Sequence, residues 1–150
     1  MIRNAKLKDV PIIRELINSH AERSRMLFRT EASLYESIRG FFVYELEGKV
    51  VGCCALQIIW GNLAEVRSLA VADHCQGKGI GSKLVHAMIA EGKRLELPKI
   101  FTLTLEPDFF QRQGFKIVPM ADLPMKVWSD CIHCPHQDNC DEIALIHELK

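Results

Sequence analysis

The 150-residue sequence reads as a mixed α/β protein: a mostly antiparallel sheet flanked by helices, not a doubly wound parallel sheet. Two observations carry that reading. Short strand-like runs joined by tight turns fill residues 41–71. A single strand–glycine loop–helix–strand unit follows over 63–105, and that order argues for a mixed sheet. A chain of this length fits one domain and buries roughly two-thirds of its unfolded surface.

The elements follow in order. Ile2 to Ala5 is a short strand, and Asp9 with Pro11 starts a helix in which Ile12, Ile13, Leu16 and Ile17 recur at helical spacing. "EASLYESIRG" (31–40) is a second short helix ended by Gly40. "FFVYELEGKVVGCCALQII" holds two strands joined at Glu47-Gly48, and Gly61-Asn62 turns the chain into the strand "LAEVRSLAV" (63–71). After the glycine loop, Ile80, Leu84, Val85, Met88, Ile89 and Leu95 form one helical stripe, which Pro98 closes. "KIFTLTL" (99–105) is a strand, and "DFFQRQGF" (108–115) a short helix capped by Gly114. Periodicity leaves "EIALIHEL" (142–149) open between strand and helix.

Composition disfavours several classes of partner. Nineteen basic and nineteen acidic residues give zero formal net charge, which does not favour nucleic acid or an acidic membrane. The longest uncharged apolar stretch, Val50 to Ala64, contains Gln57, Asn62 and two glycines. It falls short of the ~20 residues of a membrane span. "MIRNAKLKDV" lacks a signal-peptide core, so a cytoplasmic location is expected. A homo-oligomer is compatible with the sequence.

"HCQGKGIGSKLV" (74–85) packs three glycines between an apolar strand and an amphipathic helix. Glycines permit positive φ and let successive N–H groups turn inward, at the positive end of a helix dipole. With Lys78 the loop suits a diphosphate, although a plain β-to-α connection is the alternative. The nucleotide-hydrolase P-loop pattern and the dinucleotide-binding fingerprint are both absent.

Gln76-Gly77-Lys78-Gly79-Ile80-Gly81 resembles the Q/R-x-x-G-x-G/A loop of the GNAT superfamily of acetyl-coenzyme A-dependent N-acetyltransferases. "SLAV", "SKLV" and "DFFQRQGF" stand where that superfamily has its strand, helix and F-Y-x-x-x-G-F segment. "LFRTEASLYESIRGFFVYE", "LAEVRSLAV", "FFQRQGF" and "LPMKVWSDCIHCP" are similar to the short bacterial N-acetylglutamate synthases of arginine biosynthesis. The resemblance implies one acetyltransferase domain over 1–150 with a Cys-rich segment at 119–150, using acetyl-coenzyme A as co-substrate. It places pantetheine along Leu69, Ala70 and Val71, and the pyrophosphate on the N–H groups of Gln76, Gly77, Lys78, Gly79, Ile80, Gly81 and Ser82. Glutamate is the expected acceptor. The alternatives are another small amine, or a non-catalytic acyl-coenzyme A sensor.

Acetyl transfer to an amine needs a neutral amine, a stabilised oxyanion and a departing thiolate. Glu65 is the candidate base; the alternative is a structural pair with Arg67. Simple strand alternation puts Glu65, Arg67, Leu69 and Val71 on one face. The N–H groups near Ala70 and Val71 are the expected oxyanion donors. Phe110 stands on the cofactor side where the family carries tyrosine, and a phenyl ring donates no proton. Either the thiolate leaves unassisted, or Tyr35 or Tyr44 serves. Arg29 in "LFRT" matches the arginine of the subfamily's L-P-R-S stretch, with Phe28 and Thr30 in place of Pro and Ser. It is the expected carboxylate clamp, followed by Thr104 and Lys126, with solvated surface charge as the alternative for both cations.

Cys53, Cys54 and Cys75 read as small buried hydrophobes. A cysteine acetyl-enzyme through Cys54 or Cys75 is disfavoured because no base accompanies either thiol. "CIHCPHQDNC" offers Cys131, Cys134, His136 and Cys140 as a zinc set, against reduced thiols holding a turn or a Cys-x-x-Cys disulfide.

Overall fold

The computed structural model describes residues 1–22, 29–123 and 142–150. Strands β1 (Ile2–Asn4), β2 (Phe41–Leu46), β3 (Lys49–Trp60), β4 (Leu63–Val71), β5 (Lys99–Thr104), β6 (Lys116–Val118) and β7 (Ile143–Glu148) form one sheet, in the order β1-β2-β3-β4-β5-β7-β6. All neighbours are antiparallel except β4 and β5, which the helical crossover makes parallel. The mixed, mostly antiparallel expectation is met. Helices α1 (Val10–Glu22) and α2 (Glu31–Ser37) cover one face, and α3 (Ile80–Arg94) and α4 (Pro107–Arg112) the other.

The two faces follow from the two-residue period of β3. Cys53 and Ala55 join Val10, Ile13, Ile17, Leu34 and Phe41 beneath α1 and α2. Cys54 and Leu56 join Leu84, Val85, Met88 and Ile100 beneath α3. A third cluster of Leu63, Phe101, Leu123 and Ala144 lies farther along the α1/α2 face.

Local chemistry sets the boundaries. Thr30 caps α2 by accepting the Ser33 N–H at 3.1 Å, and α2 ends at Ser37, leaving one 3₁₀ turn to reach Gly40. The β2–β3 turn puts both Glu47 (φ 52°) and Gly48 (φ 80°) in the left-handed region, as a two-residue type I′ hairpin requires. Gly114 (φ 100°) ends α4 as expected, with the Phe115 and Gly114 N–H groups returning to the Phe110 and Gln111 carbonyls. The same motif ends α3 at Glu96 (φ 62°), before Pro98 is reached, with N–H groups of Leu97 and Glu96 on the carbonyls of Gly92 and Lys93. Leu95 is therefore no member of the stripe; it is exposed, and Leu97 turns inward instead.

Two strands were not resolved by pattern. Residues 143–148 are strand because β7 sits between β5 and β6 and buries Ala144 on one face and Leu145 on the other. A strand covered on both faces shows no alternation. The three-residue β6 exists only as the partner of β7.

A charged network fixes the entry to α1. The Asp9 carboxylate, 4% exposed, accepts Arg3 Nη1 at 2.7 Å, Arg3 Nη2 at 3.0 Å and the Lys6 N–H at 2.7 Å. Arg3 also donates to Glu45 at 2.7 Å, tying β1 to β2. Arg3 holds the Asp9 carboxyl below the usual carboxylate range, with help from the Lys6 amide. A depressed carboxyl stabilises the fold above its unfolded value of about 3.9, and that contribution is lost as pH falls through the lower folded value. Asp9→Asn should therefore cost about 2 kcal/mol at neutral pH in urea melts, and the gap to wild type should close below about pH 4. A gap that stays constant into acid would show that the Asp9 charge is not what stabilises this corner.

Candidate active site

The site is organised by a fault in β4. Cys53 faces Ala70 and Ala55 faces Arg67, so two steps along β3 match three along β4. The extra residue is Ser68, whose φ of 57° is left-handed. Such a bulge inverts side-chain alternation beyond it. The single face expected for Glu65, Arg67, Leu69 and Val71 is thus corrected: Glu65 and Arg67 share the α1/α2 face with Ala55, whereas Leu69 and Val71 pack toward the α3 core. Two buried thiols back the bulge, Cys53 Sγ donating to the Ser68 carbonyl at 3.4 Å and Cys54 Sγ to the Arg67 carbonyl at 3.7 Å.

β4 also parts from β5. Their ladder consists of Ala64 with Ile100 and Glu65 with Phe101. Beyond it, Thr102 Oγ1 donates to the Val66 carbonyl at 2.9 Å, and the strands diverge into a gap. The direction of the main chain at the far end is fixed by one bond. The Ala72 N–H reaches across to the Val51 carbonyl of β3 at 2.8 Å, so the Val71 carbonyl, on the same trans peptide, points into the gap. By alternation the Val71 N–H faces the gap as well, and the Ala70 N–H faces β3. Of the two expected oxyanion donors, only Val71 is therefore placed to serve.

The glycine loop lies at the wide end. Gly77 (φ 82°) and Gly79 (φ 78°) are left-handed with open space around both, so conformation and not crowding demands glycine there. Gly79 has no side chain with which to cap α3, and the N–H groups of Ile80, Gly81 and Ser82 form its open end. Lys78 is exposed beside them. The Ser82 hydroxyl donates to Gln113 Oε1 at 2.7 Å, so it joins α3 to α4 instead of turning to the loop. Gln76, also exposed, donates to the Val71 carbonyl at 3.2 Å.

Phe110 is a core ring, 5% exposed and edge-on to Phe109 and Phe115 at centroid distances of 5.1 and 5.4 Å. Tyr44 sits beneath Lys83 Nζ, 5.8 Å from its ring, two strands or roughly 10 Å from Val71. Tyr35 is exposed on α2. Thr104 uses its hydroxyl oxygen to accept the Glu106 N–H at 2.9 Å. It shares the face of Ile100, away from Arg29.

On the α1/α2 face a polar seam separates two apolar clusters. Arg29 donates from Nε to Ser33 Oγ (3.0 Å), from Nη1 to Ser68 Oγ (3.1 Å) and from Nη2 to Ser37 Oγ (3.0 Å). Its guanidinium lies 5.8 Å from the Phe41 ring centroid, and Asn18 clasps its backbone N–H and carbonyl. Glu65, 6% exposed, pairs with Arg67 at 3.2 Å where β4 and β5 begin to part. An open depression of about 490 Å³, lined by Arg14, Asn18, Arg29, Thr30 and Glu31, adjoins this seam.

Sequence reasoning missed the three serines, His20 and Gln113. Ser33 and Ser37 stand four apart on α2, a helical-face signal that was legible, and Arg29 meets them from just before the Thr30 cap. Ser68 carried no signal, because nothing in the residue types announces a bulge. Lys126, Cys131, Cys134, His136 and Cys140 lie outside the described residues, and among the described residues no group of His, Cys, Asp or Glu could hold a metal. Cys53, Cys54 and Cys75 are buried; burial pushes the Cys53 thiol up to about 12 and that of Cys54 higher, so neither is a thiolate nucleophile at neutral pH.

Comparisons agree with this geometry. Residues 37–117 match the acetyltransferase (GNAT) domain model. The chain is 40% identical to an uncharacterized N-acetyltransferase of Chlorobaculum tepidum over 99% of its own length and 96% of that protein. It is 35% identical to an amino-acid acetyltransferase of Mycobacterium tuberculosis, covering 87% of this chain and 76% of the relative. The N-acetylglutamate synthase of Neisseria gonorrhoeae, crystallised with coenzyme A and N-acetyl-glutamate, superposes with a TM-score of 0.90 at 26% identity. That match takes in all of this chain and 35% of the synthase. A bulged strand splayed from its parallel neighbour, a glycine turn opening a helix, and these matches together show that the chain belongs to the GNAT acetyltransferase family.

Proposed function

We propose that the chain transfers the acetyl group of acetyl-coenzyme A to the α-amine of L-glutamate, as in arginine biosynthesis. The observation that carries the acceptor assignment is the Arg29 guanidinium. Three serine hydroxyls hold it beside the β4 bulge, on the face opposite the glycine turn. A planar fork fixed in this way suits a carboxylate. The M. tuberculosis and N. gonorrhoeae relatives support an amino-acid acceptor.

The two reactants meet from opposite faces. Coenzyme A lies in the gap, its pyrophosphate on the open end of α3 and the left-handed turn at Gly77 and Gly79, its pantetheine along the Val71 edge of β4. The amine arrives from the seam. Glu65, where the strands part, takes a proton from the ammonium directly or through water, since an α-amino group of pKa about 8 is mostly protonated at neutral pH. The amine then attacks the thioester carbonyl, whose oxyanion is stabilised by the Val71 N–H. The C–S bond breaks as the amide forms, and the departing thiolate takes up the second proton that the attacking nitrogen gives up. A thiol of pKa about 8.5 is a competent leaving group without a strong acid, which fits a phenyl ring at Phe110. The buried thiols of Cys54 and Cys75 favour this direct transfer over an acetyl-enzyme.

Coenzyme A release measured across amino acids and polyamines should give glutamate the highest kcat/KM; a polyamine or apolar amino acid that exceeds it would refute the acceptor assignment. Arg29→Ala should raise the glutamate KM at least about tenfold, with the acetyl-coenzyme A KM unchanged, as expected for loss of a charged hydrogen-bonded contact. Equal effects on both KM values would mean that Arg29 is structural. Gly79→Ala forces φ 78° on a residue with a Cβ, at about 1 kcal/mol. Calorimetry should then show coenzyme A bound at least about fivefold more weakly, and unchanged affinity would take the turn out of the binding site.

A further inference from the structure

His20, near the end of α1, is 9% exposed and reaches from the α1/α2 side to the far end of β4. Its Nε2 lies 3.0 Å from the Val71 carbonyl oxygen. A carbonyl only accepts, so Nε2 carries the hydrogen in this contact. Gln76 Nε2 donates to the same oxygen at 3.2 Å from the glycine loop. The two donors differ in freedom: the imidazole is buried in the packing of α1, and the amide of Gln76 is exposed.

We infer that His20 is a positioning residue for coenzyme A: by donating to the Val71 carbonyl it fixes the peptide wall of the gap along which the pantetheine arm runs. The inference rests on the placement of the cofactor in that gap. The Val71 peptide is tied on its other side by the Ala72 N–H to β3, so these bonds hold both of its edges. A carbonyl oxygen has two lone pairs, and His20 and Gln76 fill both. An incoming pantetheine amide that pairs with this oxygen therefore replaces Gln76, which can swing into solvent, while His20 keeps the carbonyl aimed into the gap. Through the same bond α1, which contributes Asn18 to the clasp on Arg29, is joined to the cofactor wall. His20 touches no reacting atom in this scheme; it acts through the Val71 peptide.

The test compares His20→Met and His20→Gln, which fill similar space but differ in having an N–H to donate. Isothermal calorimetry with coenzyme A alone reads the effect without any acceptor amine. His20→Met should weaken coenzyme A binding about five- to tenfold, the worth of one hydrogen bond. His20→Gln should bind within about twofold of wild type, and in His20→Met the coenzyme A KM should rise more than the glutamate KM. A purely structural histidine would lower the melting temperature of both variants with no difference in coenzyme A affinity between them, and that result overturns the inference. Equal rises in the glutamate and coenzyme A KM values overturn it too. Wild-type protein that fails to bind coenzyme A would remove the cofactor placement itself, a different failure from a wild type that binds and a His20→Met variant that binds equally well.

Discussion

One surplus residue in β4 governs the chemistry that this sheet can support. With Ser68 left-handed, β4 presents Glu65 and Arg67 to one face and Leu69 and Val71 to the other, and a regular strand could not do both. The same strand loses its parallel partner after Glu65 and Phe101, which frees its main chain. Exposed strand edges carry unpaired amides and carbonyls. Here some of those groups are satisfied by side chains: Thr102 on Val66, and His20 and Gln76 on Val71. The thiols of Cys53 and Cys54 do the same for the carbonyls at the bulge. A faulted strand inside a seven-stranded sheet thus keeps several of its freed carbonyls paired.

The rest of the fold divides along this strand. Beneath α3 the core is apolar and continuous, so the helix is firmly seated and its open end and the glycine turn are held at a fixed place relative to the gap. The opposite face has a polar seam running between two apolar clusters, with Arg29 anchored on three hydroxyls and Glu65 paired with Arg67. Sacrificing apolar packing there costs stability, and the arrangement makes physical sense if a polar acceptor is to reach the bulge. Under the proposed function each reactant has its own face, and the parting of β4 from β5 is the passage between them.

Much of this was legible in the residues. The turn at Glu47-Gly48, the glycines at 77 and 79, the cap at Gly114 and the stripe from Ile80 to Ile89 each announce themselves, because a positive φ or a helical period leaves a local mark. The glycine loop was legible as a diphosphate site because that chemistry is carried by backbone at consecutive positions, and its resemblance to the GNAT loop supplied the cofactor class. What the residues could not show is long-range. The Ser68 bulge depends on how β3 and β4 pair, the strand character of 143–148 on burial from both sides, and the His20 contact on α1 crossing β4. Leu95 was misplaced because Glu96, a residue that seldom adopts the left-handed region, ends the helix one turn before the proline.

The most direct measurement is an amide-resolved titration with coenzyme A, following ¹H–¹⁵N correlation peaks. If the freed edge of β4 and the open end of α3 form the cofactor site, the largest shifts fall on Leu69, Val71, Gly77, Gly79, Ile80, Gly81 and Ser82, with β1 and β2 little changed. Shifts confined to another surface, or an unmoved Val71 amide at saturation, would contradict the central claim that this faulted strand is where the cofactor lies.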